Sequence, residues 1–222
     1  VDRNVLILWN HGNAWHGYGG DGSVSPSDKL ETHEIAQAIT SGLSESGLAR
    51  FDLLGFDACL MSDLVTLRTL SSASDYLLLS EDFEPSNGWD YEVFEDLAQN
   101  NALPVAVLGQ KIAAAYEAQS KVKKKHHSIT LALLESSKLG AVESALSDLI
   151  GEVEEALIQD GTKVAHARDL TQEFGRSPKA DKHYNMVDLG DLAVQLSSQL
   201  PALAATKDSL LAAIDAMVLF QV

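Results

Sequence analysis

Two short segments of the sequence place a residue with catalytic chemistry directly after an apolar run. Residues 9–15 read WNHGNAW, so His11 follows one run closely. Residues 56–62 read FDACLMS, so Cys59, the only cysteine of the chain, follows a second run. A thiol becomes an effective nucleophile when a neighbouring imidazole accepts its proton. The function therefore depends on whether these two segments meet in the folded chain.

The elements that would position these residues are short buried strands that alternate with amphipathic helices. Nearly continuous apolar runs are typical of a parallel sheet covered on both faces, and the alternation favours an α/β fold. Strands are predicted at 4–9, 51–56, 76–80 and 129–134. Helices are predicted at 32–43, 60–70, 105–116, 139–158 and 187–219, the last broken at Pro201. No strand is predicted after residue 135, and residues 16–30 and 160–184 are predicted loops.

The ends of the first two strands are the predicted site, because ligands of open α/β sheets bind at the carboxyl ends of strands. If these strands are parallel neighbours, His11 and Cys59 lie at the same edge of the sheet. Cys59 is also predicted to begin the helix at 60–70, where the helix dipole would lower the pKa of its thiol. Gly12 has no side chain, so a substrate carbonyl could approach its N–H. The alternative for a lone cysteine is a buried structural thiol.

Composition narrows the class of protein. The 222 residues fit one large domain or two small ones, and an apolar fraction of 45% is ordinary for a globular protein with a core. The formal charge of −16 argues against nucleic-acid binding, which needs a basic patch. It favours cationic partners such as basic peptides or calcium, although acidity also serves solubility alone. No apolar run approaches the ~18 residues that span a bilayer, and no signal-peptide pattern is visible, so membrane insertion is not expected.

The two motifs resemble those of the clostripain-like cysteine peptidases, which belong to the caspase–haemoglobinase fold clan. His-Gly closes one strand, Asp-Ala-Cys closes the next strand 48 residues later, and GWDY follows at 88–91. The resemblance implies an α/β fold with a caspase-like, mostly parallel sheet flanked by helices in an α/β/α sandwich. It covers residues 4–135 well and implies a catalytic core at 1–135; the helical C-terminal part, which it covers only loosely, is expected to be a mainly helical extension at 136–222 that packs on the same domain. Two further strands before residue 4 are also implied, so we expect an N-terminal segment as a partner that completes the sheet.

The resemblance further implies a cysteine endopeptidase that cleaves after Arg or Lys with a Cys-His dyad. Cys59 would be the nucleophile and His11 the base, and the N–H groups of Gly12 and Cys59 would bind the oxyanion. A catalytically inactive caspase-fold module that serves as a binding or scaffold protein is the alternative. For bacterial members the resemblance suggests a secreted or periplasmic location.

Substrate binding is predicted at three positions. Asp57 lies two residues before Cys59, so both side chains share a face if the chain is extended. A carboxylate there would raise the pKa of the thiol, and it is therefore better suited to binding a substrate cation. From the residues alone, a helix cap is an equally good interpretation of Asp57; the resemblance favours the pocket. Asp82 and Trp89 are the other two candidates, and a solvated loop is an equal alternative for Asp82.

Two accessory features complete the predictions. The family is often made as a precursor that cuts itself after the histidine, and Lys29 is the predicted processing residue, with Lys121–Lys125 as a second candidate. The chemistry itself needs no metal or cofactor. The resemblance nevertheless makes calcium a candidate ligand for Asp21 and Asp28, although their spacing matches no EF-hand.

Overall fold

The computed structural model describes residues 3–23, 28–95, 102–124, 129–177, 179 and 183–222. The chain forms two compact units, the first comprising Val1–Ser137 and Val218–Val222 and the second Lys138–Met217. The predicted division into a core at 1–135 and a helical extension at 136–222 packing on it stays a prediction. No helix in the described ranges is both long and apolar enough to cross a membrane.

The first unit alternates strands and helices, as the apolar runs predict. Its elements are β1 (Val5–Trp9), β2 (Tyr18–Asp21), β3 (Asp28–Leu30), α1 (Thr32–Ser46), β4 (Phe51–Asp57), α2 (Leu64–Leu70), β5 (Ser74–Leu79), α3 (Val105–Val122) and β6 (Ala132–Glu135). The second unit contains α4 (Leu139–Leu170), β7 (Glu173–Phe174), β8 (Met186–Val187), α5 (Leu189–Gln199) and α6 (Ala204–Met217). A last strand, β9 (Val218–Gln221), belongs to the first unit.

The main sheet has the strand order β1-β4-β5-β6-β9. The β1–β4 and β4–β5 pairs are parallel, whereas β6 and β9 run antiparallel to their neighbours. A mostly parallel sheet flanked by helices is the predicted fold class, and it is confirmed. Val5 lies opposite Leu53 and Trp9 lies opposite Asp57, so β1 and β4 end side by side.

The core under one face of the sheet explains why these strands are so apolar. Leu53 and Leu78 from the sheet pack with Leu108, Ile112 and Tyr116 of α3, and all five are at most 1% exposed. Full burial of such a side chain stabilises the fold by about 1.5–3 kcal/mol. The core therefore fixes the register between the strands, because a shift of one strand by one residue would turn its buried side chains to the other face of the sheet.

Several predicted boundaries are wrong, for identifiable reasons. The expectation that strands stop after residue 135 fails because β9 pairs antiparallel with β6 and places Phe220 opposite Leu133. The predicted loop at 160–184 is helical as far as Leu170, with non-helical backbone angles at Asp160. The predicted loop at 16–30 contains β2 and β3, which pair as a hairpin, and the predicted loop at 160–184 contains β7, which pairs with β8 just beyond that loop. These short or polar strands lack the apolar periodicity that predicts a strand from sequence.

Candidate active site

The carboxyl ends of β1 and β4 bring the histidine segment against the cysteine segment. His11 and Cys59 each lie two residues beyond the end of their strand. A methyl carbon placed on Gly12 would overlap the carbonyl oxygen of Cys59 and lie 3.0 Å from its carbonyl carbon. Only glycine allows this approach of the two backbones. The structure thus places the His-Gly and Asp-Ala-Cys motifs in contact.

The β2–β3 hairpin holds the histidine segment in place. The amide of Gly19 donates to the carbonyl of His11 at 2.8 Å, and the amide of Asn13 donates to the carbonyl of Gly17 at 3.0 Å. These two bonds form a bridge between Gly12 and Tyr18 without using the N–H of Gly12. The His11 side chain is exposed, as a group that exchanges protons with a substrate must be.

The thiol of Cys59 is half-buried and bound to the backbone of the loop after β5. The amide of Glu84 donates to Sγ at 3.2 Å, and the thiol faces the carbonyl of Glu84 at 3.8 Å. Burial raises the pKa of Cys59; the Glu84 amide opposes this, whereas the Asp82 carboxylate, and the Glu84 carboxyl when it is ionised, add to it. The resting state of the sulfur is therefore the neutral thiol.

The prediction that a helix begins at Cys59 and lowers its pKa is wrong. Helix α2 begins at Leu64, and the Asp63 carboxylate caps it by accepting from the amides of Val65 and Thr66. The amide of Leu60 instead donates to the carbonyl of Asp82 at 3.2 Å. The turn after the cysteine is thus tied to the next strand end and not to a helix.

This turn is strained. Leu60 is fully buried and has a φ of 65°. A left-handed conformation costs a bulky residue about 1–3 kcal/mol and persists only when its surroundings impose it. Burial and the bond to Asp82 impose it here. Strain of this kind is concentrated at functional sites.

Asp57 is a buried carboxylate beside the cysteine loop, with 2% of its surface exposed. Its Oδ2 accepts from the amide of Trp89 and from the hydroxyl of Tyr91, both at 2.8 Å. Burial raises the pKa of Asp57, while these hydrogen bonds and one from Glu84 lower it. The interpretation of Asp57 as a helix cap is wrong, because Asp63 has that role.

Glu84 is the site residue that sequence reasoning missed. Burial, and then the neighbouring Asp57 carboxylate, raise the pKa of Glu84 to about 9, although the indole N–H of Trp89 donates to Oε1 at 3.1 Å. Glu84 is therefore a neutral acid at pH 7 that hydrogen-bonds to Asp57. In the sequence it belongs to a polar loop, EDFEPSNG, where no pattern separates a buried acid from a solvated one.

The remaining predicted positions lie in different surroundings. Asp82 is half-buried, and its backbone holds the turn at Leu60; its predicted substrate contact stays a prediction. Trp89 is a core residue, and its predicted role in substrate binding stays a prediction. The residue is 2% exposed, and its ring packs so closely on Gly55 that a methyl carbon there would lie 3.1 Å from Cζ3. Lys29 is exposed on β3.

Two predictions concern residues at or near the edge of what is described. Lys125, in the second predicted processing segment, lies outside the described residues, as do residues 24–27 between β2 and β3. Asp21 and Asp28 are paired across the β2–β3 hairpin. Within the described part of the chain, no group of three or more His, Cys, Asp or Glu residues could hold a metal ion. Calcium binding stays a prediction.

The model of the clostripain family, Peptidase_C11, matches residues 1–221. The chain belongs to the clostripain family. The resemblance seen in the motifs is thereby confirmed for nearly the whole length. No curated protein matches the chain significantly.

Solved structures of C11 proteases share the fold of this clostripain-family chain. A secreted C11 cysteine protease from Bacteroides thetaiotaomicron, in complex with an irreversible peptide inhibitor, has a TM-score of 0.67 and 20% identity over 100% of this chain and 58% of its own. An inactive zymogen C11 protease from Parabacteroides distasonis has a TM-score of 0.68 and 17% identity over 100% of this chain and 56% of its own. This chain therefore spans little more than half the length of these two proteins.

A third similar structure is a clostripain from Bacteroides thetaiotaomicron ATCC 29148 in complex with the peptide inhibitor BTN-VLTK-AOMK. It has a TM-score of 0.61 and 17% identity, and the match covers 87% of this chain and 75% of that one. At these identities the likeness establishes a common fold.

The raised pKa of Cys59 predicts how its alkylation depends on pH. The thiolate is the reactive form, so iodoacetamide should label the folded protein slowly near pH 6. The rate should rise with a midpoint above that of an ordinary cysteine, about 8.5. Because the chain has one cysteine, intact-mass measurement reports this site alone. Rapid labelling at mildly acidic pH would contradict the neutral resting thiol.

The raised pKa of Glu84 predicts a pH-dependent stability. The folded state holds a proton that the unfolded state releases above about pH 4.3. Stability should therefore fall as the pH rises towards the folded pKa of about 9. In Glu84→Gln this proton cannot be lost, so the midpoint temperature of unfolding should fall less between pH 5 and 9 than in wild type. The exposed Glu92→Gln is the control and should keep the wild-type slope; equal slopes in all three proteins would refute the prediction.

Proposed function

We propose that this chain carries the catalytic centre of a cysteine endopeptidase. The observation that carries the proposal is the packing of Gly12 against the Cys59 backbone at the ends of two parallel strands. Membership of the clostripain family supports the same activity. The proposed reaction is the hydrolysis of a peptide bond through a thioester of Cys59.

The proposed steps use few groups. The imidazole of His11 takes the proton of the Cys59 thiol as sulfur attacks the scissile carbonyl carbon. The amides of Gly12 and Cys59 hydrogen-bond the oxyanion, and such donors are worth about 10²–10³ in rate. As the C–N bond breaks, the imidazolium gives its proton to the leaving amine. Water, activated by the same imidazole, then hydrolyses the thioester.

The raised pKa of Cys59 bears on the first step. Since the resting sulfur is a neutral thiol, His11 acts as a general base during attack, and the dyad is not a preformed ion pair. Such a thiol also resists oxidation in the absence of substrate.

The proposed substrate is a peptide with Arg or Lys before the cleaved bond. Asp57 and Glu84 supply two carboxyl groups next to the cysteine loop, and the chain as a whole is acidic. A cation at Asp57 would lower the pKa of both acids and recover part of the free energy lost on burying them. Trp89 contributes its backbone amide to Asp57, and Asp82 adds negative charge near the thiol. The peptide bound by the solved clostripain, VLTK, ends in lysine, which agrees with this proposal.

The proposed location is outside the cytoplasm of a bacterium, as for the C11 protease described as secreted. The second candidate function, an inactive caspase-fold module, is weaker because both dyad residues are present and their segments are in contact.

Peptidase activity is tested with matched fluorogenic peptides that differ only in the residue before the cleaved bond: Arg, Lys, Asp or Leu. Wild type should cleave the Arg and Lys peptides. Cys59→Ala should abolish cleavage, and His11→Ala should lower kcat by about 10²-fold or more, the scale of general-base catalysis. Cys59→Ala should retain the fold, checked by its unfolding temperature. Residual cleavage in Cys59→Ala would refute the mechanism; an inactive wild type that nevertheless binds the peptides would favour the inactive module.

We also propose that the chain can be cut after Lys29, an exposed residue on a short strand beside the histidine segment. Incubated wild type should then yield fragments whose intact masses correspond to a cut after residue 29. Cys59→Ala and Lys29→Gln should stay uncut. Fragments of the same mass in Cys59→Ala would show a contaminating protease and contradict self-processing.

A further inference from the structure

An exposed tryptophan lies beside the buried Asp57 carboxylate. Trp9 is the last residue of β1, and its register partner at the end of β4 is Asp57. Side chains of paired residues in neighbouring strands stand on the same face of the sheet. The indole and the carboxylate therefore start from adjacent positions and point the same way.

The surroundings of Gly88 show that the Asp57 carboxylate and the Trp9 indole also lie close together at the tips of their side chains. A methyl carbon placed on Gly88 would lie 2.8 Å from Oδ2 of Asp57 and 3.2 Å from Nε1 of Trp9. Gly88 has a φ of 65°, which favours glycine, and it has no side chain to separate the two groups. The space beside the Gly88 backbone is thus bordered by both the carboxylate and the indole.

The two groups differ strongly in exposure. Trp9 is 64% exposed, whereas Asp57 is 2% exposed. A tryptophan left this exposed forfeits much of the free energy that its burial would supply. Tyr91, whose hydroxyl donates to Oδ2, is also 40% exposed, so two accessible aromatic rings adjoin one buried charge.

An aromatic face next to a carboxylate selects among cations. Both Lys and Arg are attracted to the face of an indole ring within about 6 Å. The planar guanidinium of Arg can also stack on the ring while it donates hydrogen bonds to a carboxylate, whereas the ammonium of Lys is a compact, strongly hydrated charge. A pocket with an exposed indole wall therefore favours Arg.

We propose that Trp9 is a specificity-determining wall of the pocket that takes the basic side chain of the substrate, and that it favours Arg over Lys by stacking on the guanidinium. This inference rests on the proposed peptidase function. A purely structural role of Trp9 at the end of β1 would affect cleavage of both substrates equally.

The main experiment compares kcat/KM for the Arg and Lys peptides in wild type, Trp9→Phe and Trp9→Ala. Wild type should prefer Arg. Trp9→Ala should lower the ratio of kcat/KM for Arg to that for Lys by about fivefold or more, which is the effect expected from the loss of one cation–π contact. The change should come mainly from a higher KM for the Arg peptide. Trp9→Phe keeps an aromatic face and should keep most of the preference. Trp15→Ala is the matched control, because Trp15 is a second exposed tryptophan in the same segment. The Trp15→Ala variant should have the same Arg-to-Lys ratio of kcat/KM as wild type.

A second measurement needs no catalysis. In Cys59→Ala, butylguanidinium should quench tryptophan fluorescence at lower concentration than pentylammonium, and the difference should vanish when Trp9→Phe is added. A wild type that prefers Lys, or an Arg-to-Lys ratio unchanged in Trp9→Ala together with no change in quenching, would overturn the role of Trp9. By contrast, wild type could cleave neither peptide while butylguanidinium still quenches at lower concentration than pentylammonium. That result would count against the peptidase function but would support the role of Trp9 in binding the guanidinium.

Discussion

The parallel pairing of β1 with β4 is the constraint on which the candidate site depends. Because the pair is in register up to Trp9 and Asp57, the two segments that follow leave the sheet side by side. Gly12 then meets the backbone of Cys59 without a side chain between them. A slip of one residue would turn the Asp57 side chain to the other face and separate it from the indole. The apolar side chains that prevent such a slip therefore also position the chemistry.

The loop after β5 links the nucleophile to the carboxylates. The amide of Glu84 binds the sulfur of Cys59, and the side chain of the same residue binds Asp57. Two carboxyl groups can be buried this close only if one of them keeps its proton and the other has strong donors. The proton lies on Glu84, and Trp89 and Tyr91 donate to Asp57. The surroundings of the Asp57 carboxylate and of the Cys59 thiol are thus connected through a single residue, Glu84.

Residues 59–63 show where local sequence reasoning is reliable and where it is not. The leucines at 60, 64, 67 and 70 repeat with helical spacing, and a helix does form over the last three. Its start is decided by Asp63, which caps the helix, and by the bond from Leu60 to Asp82. Periodicity reports which face is apolar, but it does not report which competing hydrogen bond an amide will make. The expected lowering of the Cys59 pKa fails because no helix begins at this residue and because burial of the thiol raises its pKa.

By itself, the sequence determined the alternation of strands and helices, the mostly parallel sheet and the family. These follow from apolar runs and from two motifs at strand ends, which are local properties of the chain. Only the tertiary structure decided that the half-buried Glu84 carries a neutral carboxyl, that Trp89 lies in the core and that Trp9 is exposed beside Asp57. Burial and pKa depend on atoms brought together from distant parts of the chain, so no local pattern encodes them.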